Sequence, residues 1–355
     1  MINKFIKFPL WKNDGKAIIA LNNLQKEQIS KFQAKIFTKK YNFVNNSCLC
    51  GNSDESLDIL VAQKDRYGIA CDNLLCKKCG LIRLKEKLDD NSTVEFYKNE
   101  YRYIYVGIEQ ASNDFFNDQS SRGQIFYDLV NKHINIEEIQ TVFEIGCGAG
   151  GILFPFYKYG ISVSGCDFGQ KYLRFGQEKG LNLYEGEINE DKTPKKSQDL
   201  IVLSHVMEHF NNPLQTMSEI IEYIKDEKYL LVEVPGIFNI SQTYFNPILY
   251  FQNAHVHNYY YYYLTVFFES LGLDVIYGDE RCTFILKKPK NWIKKENIIV
   301  YDKALSEWAK RVEYSLKKFQ IQYVFKLNPH YLKQGLVKML DRLRLKNLVK
   351  KILGK

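Results

Sequence analysis

A glycine-rich turn directly after an apolar run constrains this chain most. Residues 142–151 read VFEIGCGAGG, so Gly146, Gly148 and Gly151 satisfy G-x-G-x-x-G behind a short predicted strand. Such a turn lets backbone N–H groups and a helix N-terminus approach a ligand closely. Taken alone it is also compatible with a tight βα turn in any α/β domain. The pattern predicts an α/β domain whose ligand lies at the carboxyl edge of a parallel sheet.

Glu144 narrows the choice of ligand. A carboxylate at the end of a buried strand needs a compensating partner, and dinucleotide folds normally carry an apolar residue there. S-adenosylmethionine supplies a partner, because it carries a sulfonium and an ammonium group and no pyrophosphate. Asp167 ends a second predicted strand about 20 residues past the first glycine, where an acid can grip ribose hydroxyls in either kind of site. We therefore expect S-adenosylmethionine as the cofactor.

Later segments resemble class I S-adenosylmethionine-dependent methyltransferases. Residues 199–213 follow D-x-(apolar)3-S-H-V-x-E-H-x-x-x-P and residues 229–235 form another apolar run, as in the fourth and fifth strands of that family. Residues 271–286 resemble its closing antiparallel hairpin, which dinucleotide folds lack. The resemblance covers about residues 120–290. It implies an α/β fold with a Rossmann-like seven-stranded sheet.

The resemblance also implies roles for residues around the cofactor. Phe168 or Ile188 would lie against the adenine ring, and Glu187 would contact its amino group. Arg122, in a segment that such enzymes place over the cofactor, could pair with the cofactor carboxylate or be a solvated surface residue. The implied cofactor-binding set is Glu144, Gly146, Gly148, Asp167, Phe168, Glu187, Ser204 and Arg122.

Composition limits the class of protein. Apolar residues make up 45% of the chain and charged residues 25%, as in ordinary globular proteins. No window reaches the ~18 consecutive apolar residues that span a bilayer. Residues 1–11 are basic and aromatic but lack the apolar core and cleavage site of a signal peptide. We expect a cytoplasmic protein, with peripheral contact at the inner face of the membrane as an additional possibility.

Four of the eight cysteines form a predicted metal site. Cys48 and Cys50 precede Gly51, and Cys76 and Cys79 precede Gly80, a pattern that would hold structural Zn²⁺ in a closed four-thiolate site. The first pair is C-x-C and 25 residues separate the pairs, which is longer than the common zinc-ribbon gap. Two alternatives stay open: Cys71 replaces Cys48 as a ligand, or reduced thiols simply pack in a small subdomain.

Four segments follow from these patterns. Residues 1–40 form an N-terminal lead, 41–90 a zinc-ribbon-like domain, 91–290 a methyltransferase domain with covering helices, and 291–355 a basic helical extension. The extension carries a net charge of +11 in a chain of +8. Within it, residues 331–353 have apolar residues at helical spacing, which fits a helix docked on its own domain, a dimer contact or a helix on anionic lipid. Nucleic acid is not an expected partner.

Histidines after the fourth and fifth strands are the candidate catalytic groups. The sequence AHVHNYY around His257 resembles the His-Glu-His-Phe loop of sugar C-methyltransferases, which also carry an N-terminal four-cysteine zinc domain. Val256 replaces the acid of that loop, so we favour O-methylation, with His257 as the leading base and His205 as the second. A metal triad of His205, Glu208 and His209 is a less favoured alternative. Some of the five tyrosines at 259–263 are expected to line the acceptor pocket.

These features together resemble bacterial methyltransferases of surface-polysaccharide and modified-sugar synthesis. That resemblance implies a nucleotide-linked or lipid-linked sugar as the acceptor. Three alternatives remain: a sugar C-methyltransferase, an RNA methyltransferase, and a cofactor-binding scaffold protein without turnover. An RNA methyltransferase would bind RNA tightly with a steep salt dependence.

Overall fold

The N-terminal part of the chain forms one helix and a small cysteine domain. The structure is a computed structural model that describes residues 11–296, 298–328 and 333. Helix α1 (Asn23–Phe37) is capped by the side chain of Asn22, which accepts a hydrogen bond from the backbone N–H of Gln25. The strands of the cysteine domain are β1 (Phe43–Asn45), β2 (Asp58–Lys64), β3 (Ala70–Cys76), β4 (Ile82–Leu84) and β5 (Glu86–Leu88). Strands β2, β3 and β4 form an antiparallel meander, and β1 pairs with β5.

A helical cover connects the cysteine domain to the large sheet. It consists of α2 (Asp90–Phe96), a π-helical turn (Tyr97–Tyr101), α3 (Arg102–Tyr105) and α4 (Asn113–His133). The side chain of Ser112 caps α4 by accepting a hydrogen bond from the Phe115 N–H. π-helical turns often occur at functional sites. This turn lies over the carboxyl edge of the sheet.

The large sheet has seven strands in the order β12-β13-β10-β9-β6-β7-β8. Their bounds are β6 (Thr141–Ile145), β7 (Ser162–Asp167), β8 (Asn182–Glu185), β9 (Gln198–Ser204), β10 (Ile224–Glu233), β12 (Asp274–Gly278) and β13 (Thr283–Lys287). All run in the same direction except β13, which is antiparallel to both neighbours. This confirms the predicted seven-stranded α/β fold and its closing hairpin.

Helices cover both faces of the sheet, which explains why its central strands are apolar on both sides. In β9, every residue from Gln198 to Leu203 is buried. The helices of this region are α5 (Leu153–Lys158), α6 (Gln170–Gln177), α7 (Pro213–Ile221), α8 (Ile240–Thr243) and α9 (Tyr261–Ser270).

A short strand from the large domain joins the sheet of the cysteine domain. Strand β11 (His257–Asn258) pairs with β4 in an antiparallel register that places His257 opposite Arg83. Arg83 in turn holds Asp58 in a buried ion pair of 2.7 Å. The two domains therefore share one four-stranded sheet.

The C-terminal extension docks on its own chain over the part that the structure describes. Helix α10 (Leu305–Val324) buries an apolar face, and Trp308 stacks on Tyr260 and Tyr262 with ring centroids 5.8 and 5.3 Å apart. The predicted amphipathic segment 331–353 lies outside the described residues, apart from Lys333. No helix among the described residues is long and apolar enough to cross a membrane.

Candidate functional site

A cleft of about 790 Å³ lies at the carboxyl ends of β6, β7 and β9, beneath the helical cover. This is the edge where open α/β sheets bind ligands. All eight predicted cofactor residues line the cleft, together with His205. They are Glu144, Gly146, Gly148, Asp167, Phe168, Glu187, Ser204 and Arg122, and Arg122 lies beside His205.

The glycine turn has the close approach that the sequence predicts. Gly146 has a φ of +72°, and a Cβ atom at this position would lie 2.6 Å from Cγ2 of Val206. Gly148 has a φ of +55°, and its N–H donates a hydrogen bond of 2.9 Å to Oδ2 of Asp167. Only glycine combines this backbone conformation with so little space. The turn therefore leaves the floor of the cleft free of side chains.

Glu144 is the buried acid of the cleft. It is 2% exposed, and its Oε2 atom has no hydrogen-bond partner among the described residues. Burial raises the pKa of Glu144 well above its usual range, and the charge of Asp167 acts in the same direction. A cation in the cleft would offset both effects. The residues therefore fit the sulfonium and ammonium groups of S-adenosylmethionine.

Asp167 is held by the helical cover. Its Oδ2 atom accepts a hydrogen bond of 2.6 Å from Nη2 of Arg102, and its Oδ1 atom accepts one of 2.6 Å from the Gly169 N–H. The Arg102 guanidinium also lies over the ring of Tyr172, 4.9 Å from its centroid. Arg102 was not predicted, because its contact with Asp167 joins residues 65 positions apart. The only signal for it in the sequence is its place in the tyrosine-rich run 97–105, within the predicted covering helices.

Arg122 is partnered within the protein. Its Nε and Nη2 atoms donate hydrogen bonds of 2.9 and 2.6 Å to Oε2 of Glu233, and Nη2 also contacts Nε2 of His205. The side chain is about one-third exposed and faces the cleft. A cofactor carboxylate would have to compete with Glu233 for this guanidinium.

The structure places the two candidate bases very differently. His205 lines the cleft with a side chain that is 33% exposed, and its Nδ1 atom lies 3.3 Å from Oε1 of Glu208. His257 is fully buried in β11 and does not line the cleft. Strand pairing with β4 turns this residue toward the cysteine domain, which contradicts its predicted role as the leading base.

The prediction that some tyrosines at 259–263 line the acceptor pocket also needs correction. None of the tyrosines at 259–263 lines the cleft, and Tyr259, Tyr260 and Tyr263 are fully buried in the core. The aromatic wall comes instead from the helical cover and from the segment after α8. Its members are Tyr97, Tyr101, Tyr105 and Tyr244.

A second group of polar side chains lies in the wall of the cleft. One ligand-type atom from each of Glu208, His209 and His255 lies within 4.8 Å of the other two. Burial lowers the pKa of His209 and of His255, so both imidazoles are neutral at pH 7. His255 takes the place that the predicted metal triad gave to His205.

The four-cysteine cluster forms as predicted. The Sγ atoms of Cys48, Cys50, Cys76 and Cys79 all lie within 4.8 Å of one another, with separations of 3.4 to 3.7 Å for three of the pairs. Zn–S bonds of about 2.3 Å in a tetrahedron require S···S separations of about 3.8 Å, so the cluster fits Zn²⁺. Cys71 is not part of it, which removes the alternative ligand set.

A comparison with known protein families finds a match between this chain and a family model. The description of that family is a methyltransferase domain, and the match covers residues 110–277, just under half of the chain. No curated protein sequence matches the chain. The matched residues include the glycine turn, the acids Glu144 and Asp167, and the segment after β9 that contains His205 and His209.

Many solved structures are similar to this chain, at low identity. A SAM-dependent methyltransferase from Archaeoglobus fulgidus is 19% identical, covering 57% of this chain and 93% of its own, with a TM-score of 0.36. One from Aquifex aeolicus is 18% identical, covering 56% and 97%, with a TM-score of 0.36. An O-methyltransferase family protein from Burkholderia thailandensis is 13% identical, covering 55% and 63%, with a TM-score of 0.40. Residues 110–277 are thus similar to a methyltransferase domain, and this match, the strand order and the acidic glycine turn together support an S-adenosylmethionine-dependent methyltransferase.

Proposed function

We propose that this enzyme methylates a hydroxyl group of a sugar carried on a phosphate, either nucleotide-linked or lipid-linked, in the synthesis of surface polysaccharide or modified sugars. The observation that carries the proposal is Arg66. This residue belongs to the turn between β2 and β3 of the cysteine domain, yet it lines the methyltransferase cleft. It supplies a cation to the cleft, beside the ring of Tyr244.

The turn that presents Arg66 is rigid. Oδ1 of Asp65 accepts hydrogen bonds of 2.8 and 2.9 Å from the backbone N–H groups of Tyr67 and Ile69. The Arg66 N–H donates to the carbonyl oxygen of Phe251, which ties the turn to the large domain. The backbone of Arg66 is therefore held against the large domain by hydrogen bonds within the protein.

The guanidinium of Arg66 has unused hydrogen-bond donors. Its Nε and Nη2 atoms are buried and have no partner among the described residues, and the group lies over the ring of Tyr244, 5.6 Å from its centroid. Buried donors are normally satisfied, and a guanidinium fork matches a phosphate group by two parallel hydrogen bonds. An acceptor with a phosphate would satisfy these donors, while the tyrosine wall would pack on its sugar ring.

Methyl transfer needs a hydroxyl oxygen in line with the donor and a group that takes its proton. When bound, S-adenosylmethionine supplies a methyl group on a positively charged sulfur. Nε2 of His205 would take the hydroxyl proton as the acceptor oxygen replaces sulfur on the methyl carbon. Arg122 contacts this nitrogen in the present structure and must release it when the acceptor enters. Cys48, Cys50, Cys76 and Cys79 would hold a structural Zn²⁺.

Binding of S-adenosylhomocysteine, with NADH as the comparison, tests the cofactor by titration calorimetry. Methyl transfer is then measured with nucleotide-linked sugars, lipid-linked sugar phosphates and the corresponding free sugars. We expect transfer to one of the phosphate-linked classes and little to the free sugars. Equal transfer to free sugars, or transfer only to RNA, would overturn the proposal.

The substitution Arg66→Ala tests whether Arg66 binds the phosphate of the acceptor. We expect KM for the phosphate-linked acceptor to rise by roughly 10- to 100-fold, as for a lost charge-assisted hydrogen bond of about 1.5–3 kcal/mol, without a change in S-adenosylhomocysteine affinity. Arg174→Ala, at an exposed arginine outside the cleft, is the matched control. An unchanged KM in Arg66→Ala would show that Arg66 does not bind the phosphate of the acceptor.

A further inference from the structure

The carboxylate of Glu208 lies in an unusual position for a buried acid. The residue is 1% exposed, and neither Oε1 nor Oε2 receives a hydrogen bond from a described residue. Uncompensated buried carboxylates are costly, because the lost hydration is not replaced. The geometry therefore calls for a cation beside Glu208.

Three imidazole nitrogens lie near this carboxylate, and the nearest is Nδ1 of His205, 3.3 Å from Oε1 of Glu208. The other two belong to the cluster of Glu208, His209 and His255. Nε2 of His209 lies 4.0 Å and Nε2 of His255 lies 3.9 Å from Oε1 of Glu208. Glu208 and His209 belong to the turn after β9, and His255 comes from the loop after β10 that leads into β11. Two separate segments thus converge on one point in the cleft wall.

The orientation of His209 is that of a metal ligand. Its Nδ1–H donates a hydrogen bond of 2.9 Å to the carbonyl oxygen of Ala254, which leaves the Nε2 lone pair directed at the cluster. Metal-binding histidines usually have their second nitrogen fixed in this way. Tyr101 donates to the same lone pair over 3.2 Å here and would have to release it to an ion.

We propose that Glu208, His209 and His255 bind a divalent transition-metal ion in the wall of the cleft. Two imidazole nitrogens and one carboxylate oxygen favour zinc, iron, cobalt or nickel over magnesium or calcium, which prefer oxygen ligands. Three protein ligands leave a coordination position open, unlike the closed four-cysteine site. All three residues line the cleft, so an acceptor bound there would lie beside the ion.

The role of the ion rests on the proposed O-methylation. A sugar hydroxyl that takes the open position would become more acidic, as metal-bound water does, and would be held beside His205. The ion would thus fix which hydroxyl is methylated. Binding of the ion, by contrast, does not depend on the acceptor and can be measured without it.

Metal content of the full chain tests the binding. The protein is produced with cobalt as the only added transition metal, and the metal per chain is measured together with the visible spectrum. We expect two ions in the wild type, one with intense thiolate charge-transfer bands and one with only weaker bands of nitrogen and oxygen ligation. Glu208→Gln and His255→Gln should each lose the second ion and its bands while the thiolate bands remain.

His257→Gln is the matched control, because it changes a buried histidine of the same loop outside the cluster. It should keep both ions. Thermal unfolding and S-adenosylhomocysteine binding establish that each variant is folded, and His209→Gln serves as a third variant if one of the others is not. A single ion in the wild type, or two ions retained in folded Glu208→Gln and His255→Gln, would overturn the proposal.

The two proposals fail in different ways. Methyl transfer to a phosphate-linked sugar by protein that carries only the thiolate-bound ion would overturn the second metal site and leave the proposed function standing. Two bound ions without transfer to any phosphate-linked sugar would support the metal site and overturn the proposed acceptor.

Discussion

Glu144 and Asp167 both line the cleft but have different surroundings. Glu144 is buried without a partner on one oxygen, so it suits a cationic group. Asp167 is oriented by Arg102 and two backbone N–H groups and lines the same cleft, so it suits a neutral hydroxyl donor. Residue type and spacing alone were enough to predict both acids. Their partners depend on how the helical cover folds back and were not predictable from spacing.

The expected contact between Asp167 and the cofactor ribose leads to the first prediction. Asp167→Asn removes a charged acceptor, so the Kd of S-adenosylhomocysteine should rise by roughly 10- to 100-fold, equivalent to about 1.5–3 kcal/mol. Calorimetric titration measures this. The control is Asp199→Asn, which breaks a buried ion pair with Lys225 at the amino end of β9, away from the cleft. Asp199→Asn should lower the melting temperature but not the affinity, and equal affinity losses in both variants would contradict the assignment.

The two histidines predict a second outcome. His205→Gln removes the imidazole that faces the cleft, so kcat should fall by about 10²-fold or more, the usual effect of losing a general base. His257→Gln should leave kcat within about twofold of the wild type, since the residue is buried in β11. Steady-state rates at saturating cofactor, on protein shown to be folded by thermal unfolding, provide the comparison. A larger loss in His257→Gln than in His205→Gln would restore the prediction made from the sequence loop.

At the scale of elements, strand β11 explains why the prediction of His257 as the leading base was wrong. The AHVHNYY segment carries histidines at 255 and 257 that are indistinguishable by composition. Only His257 joins the β4 edge, and its pairing with Arg83 removes it from the cleft. His255 stays in the cleft wall. The seven strands were predictable because each is an apolar run followed by a turn or an acid, whereas a two-residue strand has no such pattern.

The four-cysteine cluster leads to a third prediction, which concerns zinc content and stability. Cys76→Ser removes one thiolate from the cluster, so zinc content should fall by one equivalent and the cysteine domain should lose much of its stability. Cys71→Ser is the control, because Cys71 lies outside the cluster. Metal analysis and thermal unfolding measure both. Equal zinc in the two variants would show that the cluster does not bind the ion.

At the scale of the whole molecule, the cysteine domain is part of the cleft and not an appendage. It supplies Arg66 to the lining of the cleft, and the β4 edge anchors the loop that holds His255. Loss of zinc should therefore weaken acceptor binding before it weakens cofactor binding, because the glycine turn belongs to the large sheet. The segment boundary predicted near residue 90 follows composition, but the shared four-stranded sheet could not be read from composition.

The shared sheet limits how this enzyme can be recombined with its relatives. Exchange of residues 41–90 alone would place a foreign β4 edge against the native β11 and would replace Arg66 while keeping the native histidines. Such a chimera would join two half-sites selected for different acceptors. Because residues 41–90 and the loop 252–258 pair through β4 and β11, we expect acceptor preference to move between enzymes only when both are transferred together.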